Sequence, residues 1–204
     1  MIDSSAPSMT SMTSRSVHAI VIGASAGGVE ALSVLLPALP AGLLASVFIV
    51  LHIPRDAPSM LQEVFEPRCA LPVLEAEDKL PVFAGTVYFA PPDYHLLIDA
   101  GPHLALSSDE LVNFSRPSID VLFESAADVY GAGLLGILLT GANQDGAAGL
   151  DAVAKAGGMT IVQDPATARS PQMPEAAIRR RLPDKVLTLD QIAQYLRSLQ
   201  PAAT

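Results

Sequence analysis

Short, unbroken apolar runs recur along this chain, and each is followed by a stretch of helical periodicity. Ala19 to Ile22, Ser46 to Leu51, Leu134 to Leu139 and Met159 to Gln163 are too short for helices. They are rich in Val, Ile and Leu and read as strands buried on both faces. Helices are expected from Val29 to Leu36, about Pro58 to Glu66, Pro117 to Val129, Gly146 to Ala156 and about Pro174 to Arg181. Asp56 is placed to cap the second of these, with Pro58 in its first turn. Thr188-x-x-Gln191 is a capping box that opens a last helix through Leu199.

The middle of the chain departs from this rhythm. Pro72 to Leu74, Thr86 to Ala90, His95 to Ile98 and His103 to Leu106 predict short strands, several of them antiparallel, forming an excursion or sheet edge. The alternation on either side predicts one doubly wound α/β domain with a mainly parallel sheet, spanning residues 17–200. Residues 1–16, rich in Ser, Thr and Met, read as a flexible tail.

Composition narrows the function. A chain of 204 residues suits one sizeable domain with a full core. Half of it is hydrophobic and only 16% is charged, which argues against disorder. The apolar runs are too short to span a bilayer, and the opening MIDSSAPSMTSMTSRS lacks the apolar core of a signal peptide. A single cysteine, Cys69, excludes an internal disulfide and a cysteine-rich zinc site, and it fits a reducing cytoplasm. No metal or other cofactor is expected. The net charge of −9 argues against a nucleic-acid partner. The run Arg179-Arg180-Arg181 reads as a solvated helix end.

Chemistry enters at the first strand-to-helix turn. Gly23-Ala24-Ser25-Ala26-Gly27 fits G-x-S-x-G, in which a serine on a sharp turn presents its hydroxyl outward. Backbone N–H groups at the following helix start can then face a developing oxyanion. A phosphate- or dinucleotide-binding turn is the rival reading. Against it, Ser25 stands at the second glycine position of G-x-G-x-x-G, and His52 follows the second strand where a ribose-binding acid belongs. No G-x-x-x-x-G-K-[ST] occurs.

Open parallel sheets bind ligands outside the carboxyl ends of their strands. Ser25 follows the first strand, His52 the second, and Asp145 the Leu134 to Leu139 strand. Together they supply a nucleophile, a general acid/base and an orienting carboxylate. Each also has a structural alternative: His52 as partner to a loop carbonyl, Asp145 as a helix cap. His18 begins a strand and so lies at the wrong end of the sheet, His95 and His103 read as structural, and Cys69 as an inert thiol.

With these sites in view, the sequence resembles the catalytic domain of the chemotaxis protein-glutamate methylesterase (CheB) family over nearly everything after Val17. The resemblance is carried by IGASAGG at Ile22 to Gly28, LHIP at Leu51 to Pro54, and EAEDKLPVFAGTVYFAPPDYH at Glu75 to His95. It continues in RPSID at Arg116 to Asp120, LTGANQDGAAGL at Leu139 to Leu150, and MPEAAI at Met173 to Ile178. It implies a Rossmann-like sheet and a cytoplasmic serine esterase. That esterase hydrolyses glutamate γ-methyl esters on the signalling helices of methyl-accepting chemotaxis receptors, with some deamidation of glutamine. It also implies the triad Ser25, His52 and Asp145, oxyanion donors at the Ala26 and Ala142 amides, and Arg116 as a candidate for holding the substrate helix. A structural ion pair is the equal alternative for Arg116. The family's usual TGMG loop reads Thr140-Gly141-Ala142-Asn143 here. A phospho-receiver domain does not fit in the residues before Val17, so a scaffold or separate regulatory protein is the candidate for control. A catalytically silent receptor- or scaffold-binding module of the same fold is the alternative function.

Overall fold

A computed structural model of the protein describes residues 16–53 and 59–199. The expected tail before Ser16, the Asp56 cap and Pro58 lie outside the described residues. In chain order the elements are β1 (Ala19–Ala24), α1 (Gly28–Leu35), β2 (Ser46–Leu51), α2 (Leu61–Phe65) and β3 (Val73–Glu75). Then come β4 (Val87–Phe89), β5 (His95–Asp99), β6 (His103–Ser107), α3 (Ile119–Tyr130) and β7 (Leu134–Leu138). The last are α4 (Ala147–Lys155), β8 (Met159–Gln163), α5 (Gln172–Arg180), β9 (Lys185–Leu187) and α6 (Leu189–Arg197).

Seven strands form one sheet in the order β3-β4-β2-β1-β7-β8-β9, with parallel pairing throughout. The apolar runs explain the layering. Every residue of β1, β2 and β7 is buried because helices cover both faces. Ile20 and Ile22 pack on one side with Leu32 and Leu35 of α1 and Ile192 and Leu196 of α6. Ala19 and Val21 face the other side, with Leu122 and Phe123 of α3, Leu150 and Val153 of α4 and Met173 of α5. The expected capping box is present: Thr188 accepts from the Gln191 N–H, and the Gln191 side chain accepts from the Thr188 N–H.

The middle of the chain splits in two. β3 and β4 extend the main sheet in parallel beyond β2, and only β5 and β6 form an antiparallel hairpin, which packs on α3. Strand β9 has no sequence signal. Its Lys185 and Val186 are exposed, and only pairing with β8 makes it a strand. Helix α2 is one turn and a half, followed by a 3₁₀ turn at Glu66–Arg68. No helix among the described residues is long and apolar enough to cross a membrane.

The order of strands places the site. From β1 the chain builds outward through β2 and β4 on one side and later through β7, β8 and β9 on the other. The loops after β1, β2 and β7 therefore converge at the carboxyl ends of three adjacent strands.

Candidate active site

Ser25 follows β1 directly. Its N–H donates to the Thr140 carbonyl (3.0 Å) and its own carbonyl accepts from the Gly28 N–H (2.8 Å), which ties the turn to the β7 loop and to α1. The left-handed residue of this turn is Gly27 (φ 85°), not Ser25. A Cβ at Gly27 would approach the Arg169 side chain to 2.9 Å. The serine therefore sits in ordinary backbone, unlike the strained serine that the G-x-S-x-G pattern implies. Thr140, buried, donates through its hydroxyl to the Ala26 carbonyl (2.8 Å) and accepts from the Ser170 N–H (2.9 Å). The Ser25 hydroxyl makes no hydrogen bond among the described residues.

His52 stands one residue beyond the last rung of the β1–β2 ladder, where Ala24 pairs with Leu51. Its N–H donates to the Ala24 carbonyl at 3.1 Å, so the backbones of Ser25 and His52 are neighbours. The ring reaches the other way as well: Nε2 lies 2.9 Å from Asp145 Oδ2. A carboxylate only accepts, so Nε2 carries the proton and neutral imidazole keeps Nδ1 as an acceptor. Nδ1 makes no hydrogen bond among the described residues.

Asp145 is fully buried. It does not cap α4, the helix it precedes; the cap there is Gly146, in the left-handed conformation. Its carboxylate instead sits at the start of α3, taking the Ile119 N–H on Oδ2 (2.6 Å) and the Asp120 N–H on Oδ1 (3.2 Å). The Ser118 hydroxyl (2.8 Å) and Asn113 Nδ2 (3.1 Å) also donate to Oδ1. Burial pushes this carboxyl up, but the hydrogen bonds from His52, Ile119 and Ser118 and the attraction of the imidazole outweigh it and hold the group below its usual range. The positive end of α3 acts in the same direction. The result is a fixed anion with donors on every side.

Behind it lies a second buried acid. Asp120 accepts from the Gly149 N–H (2.6 Å) and from Asn113 Nδ2 (2.8 Å), so the Asn113 amide bridges the two carboxylates. Burial, offset in part by the Gly149 N–H and reinforced by the charge of Asp145, pushes Asp120 up to about 6.

The amides of Ala26 and Ala142 make no hydrogen bond among the described residues, and both alanines are exposed. The Ser25 amide, by contrast, is occupied by Thr140. This site can present a hydroxyl, a basic nitrogen, a fixed anion and two open backbone donors.

The sequence profile of CheB methylesterase matches residues 20–196. The chain belongs to the CheB methylesterase family. A Leptospira interrogans relative is 47% identical over 177 residues, covering 87% of this chain and 92% of that protein. The Caulobacter vibrioides protein-glutamate methylesterase/protein-glutamine glutaminase 2 is 38% identical over 186 residues, covering 89% of this chain but 54% of its own length. The crystal structure of the Thermotoga maritima CheB methylesterase catalytic domain superposes with a TM-score of 0.84 at 32% identity, covering 91% of this chain and 100% of that one. The chain thus spans nearly all of some CheB relatives and about half of others, and it is a member of a hydrolase family.

Within this CheB fold Arg116 is engaged by its own chain. Its Nε and Nη2 donate to Asp93 Oδ1 (3.1 and 2.8 Å), and Nη1 donates to the carbonyls of Ser108 (2.6 Å) and Asp109 (2.8 Å). The guanidinium braces the loop between β6 and α3, which is the structural alternative. Burial pushes the Cys69 thiol up, consistent with an inert group. His95 is buried, with Nε2 donating to the Glu110 carbonyl (3.0 Å) and Nδ1 accepting from the Ser118 N–H (3.1 Å). It thereby orients the residue whose hydroxyl holds Asp145. Sequence reasoning missed Asn113, Ser118, Asp120 and Thr140. Of these only Ser118 carries a local signal, a serine beside a helix start.

Proposed function

We propose that this protein is a cytoplasmic serine esterase that hydrolyses glutamate γ-methyl esters on chemoreceptor signalling helices, releasing methanol, and that it deamidates glutamine at such sites. The observation that carries the reading is the 2.9 Å pair between His52 Nε2 and the buried Asp145, with Ser25 and His52 each directly following the last rung of the β1–β2 ladder. The names of its CheB relatives, which pair methylesterase with glutaminase, support the substrate class.

In this reading Ser25 Oγ attacks the ester carbonyl as His52 Nδ1 takes its proton. Asp145 holds the ring in the tautomer with Nε2–H and stabilises the imidazolium. The tetrahedral oxyanion is met by the amides of Ala26 and Ala142. Collapse breaks the carbon–methoxy bond, and His52 returns the proton so that methanol leaves, giving a glutamyl ester on Ser25. Water, deprotonated by His52, then attacks this ester. The carbon–Oγ bond breaks, His52 gives the proton to Ser25 Oγ to restore the hydroxyl, and the receptor is left with a glutamate side chain. With glutamine the same steps release ammonia.

The test is methanol release from a methylated receptor cytoplasmic fragment, together with fluorophosphonate labelling mapped by peptide mass. Release by the wild type and an adduct on Ser25 are expected. No release, or an adduct elsewhere, overturns the reading.

A further inference from the structure

Phe114 is 95% exposed, the most exposed large hydrophobic residue among those described, whereas Phe48, Phe65, Phe89 and Phe123 are fully buried. Its backbone is as unusual as its exposure. Val112 and Ser115 exchange two backbone hydrogen bonds (3.2 and 2.9 Å), and the residues between them, Asn113 and Phe114, are both left-handed (φ 50° and 61°). This is the geometry of a type I′ turn, whose second central position ordinarily takes glycine because a side chain crowds the backbone there. A phenylalanine in that position gains almost no packing from the described residues. A strained residue of this kind persists where its surroundings over-determine it, and it points to function.

The surroundings are the candidate active site. Asn113 is tied through Nδ2 to both Asp120 and Asp145, and its Oδ1 accepts from Gln144 Nε2 (3.5 Å). Asn143 Nδ2 donates to the Ser115 hydroxyl (3.4 Å), which donates to the Asn113 carbonyl (3.4 Å). The aromatic tip is therefore held in register with the carboxylate that orients His52. Beside the turn lies an open cleft of about 350 Å³ whose polar lining is Asn113, Asp120, Gln144, Arg179 and Arg180. Both arginines are more than half exposed, and their ion pairs to Glu175 and Asp151 are surface pairs that a partner can replace.

We infer that Phe114 is a docking residue for the substrate helix. Its ring packs between apolar side chains one turn apart on that helix, while Arg179 and Arg180 meet carboxylates on the helix's polar face. The inference rests on the methylesterase reading, which makes the substrate a helix that gains a glutamate with each turnover. An exposed aromatic anchor on a rigid support is the kind of group that dominates recognition energetics. The arginines oppose the chain's net charge of −9 where an acidic partner would approach.

The test is steady-state methanol release from a methylated receptor fragment by the full chain. Phe114→Ala raises KM roughly tenfold with kcat kept. Phe114→Gly suits the left-handed turn, melts no earlier than wild type and shows the same rise in KM, which separates docking from folding. Arg179→Gln combined with Arg180→Gln also raises KM and flattens its dependence on salt. Leu44→Ala, an exposed position preceding β2 at the opposite rim, changes nothing. Unchanged kcat/KM in both Phe114 variants overturns the inference while leaving the methylesterase reading intact. A fall in kcat instead of a rise in KM overturns it too, by making the turn a support for Asp145. Absence of release by the wild type overturns both.

Discussion

His52 meets Asp145 through Nε2, at 2.9 Å, and so keeps Nδ1 as the acceptor nitrogen of the ring. The carboxylate that sets this orientation is held by the start of α3, not by the helix it precedes: Ile119 and Asp120, 26 and 25 residues away in sequence, donate their amides to it. The α3 terminus therefore serves the site by fixing the charge and angle of Asp145, which fixes the imidazole tautomer.

Removing either member of the serine–histidine pair should nearly abolish turnover. Ser25→Ala and His52→Ala are each expected to lower kcat on the order of a million-fold, because the two act as a unit. Neither side chain is a core anchor, so stability should change by no more than about 1–2 kcal/mol. Methanol release and urea unfolding on the same preparations check both statements.

Asp145→Asn should cost both activity and stability. All five groups around the carboxylate donate hydrogen bonds, two to Oδ2 and three to Oδ1. An amide nitrogen in either place faces donors and leaves buried N–H groups unpaired. The expected loss is about 2–4 kcal/mol of stability and about ten-thousand-fold in kcat. A variant as stable as wild type in urea unfolding would contradict the assigned partners.

Asp120 should leave its mark on stability as a function of pH. Its carboxyl is raised to about 6 in the folded protein, against an ordinary value of about 3.9. The folded state therefore binds this proton more tightly than the unfolded state does. The associated stability is fully present below about pH 4 and lost as pH rises through about 6, a change of about 3 kcal/mol. Asp145 contributes with the opposite sign, since its lowered value makes stability disappear as pH falls. The difference between wild type and Asp120→Asn, measured by urea unfolding from pH 4 to pH 7, isolates the Asp120 component. A difference independent of pH would refute it.

Thr140 clamps the serine turn, so Thr140→Val should loosen it. The change keeps the shape but deletes the bond to the Ala26 carbonyl and leaves the Ser170 N–H unpaired. A stability loss of about 1–3 kcal/mol is expected, with a ten- to hundredfold fall in kcat from a displaced hydroxyl. The rate of fluorophosphonate labelling at Ser25 reports the displacement directly; an unchanged rate would remove Thr140 from this role.

Residue order alone determined the frame of this protein. β2 and β8 occupy Ser46–Leu51 and Met159–Gln163 as their apolar runs predict, because a strand covered on both faces is apolar at most of its positions. Ser25 and His52 stand out as candidates for a related reason, as polar residues directly following such runs, and Asp145 as the acid of the polar loop after β7. Tertiary structure decided what lies across the chain. Whether β3 and β4 join the main sheet, and whether Lys185–Leu187 is a strand at all, depends on backbone partners that periodicity does not encode. The assembly around Asp145 draws on Asn113 and Ser118, 32 and 27 residues away, and the loop brace occupies Arg116 with Asp93. Hydrogen bonds of this range are set by how the layers pack. Local pattern specifies the elements, and packing specifies which donors meet which acceptors.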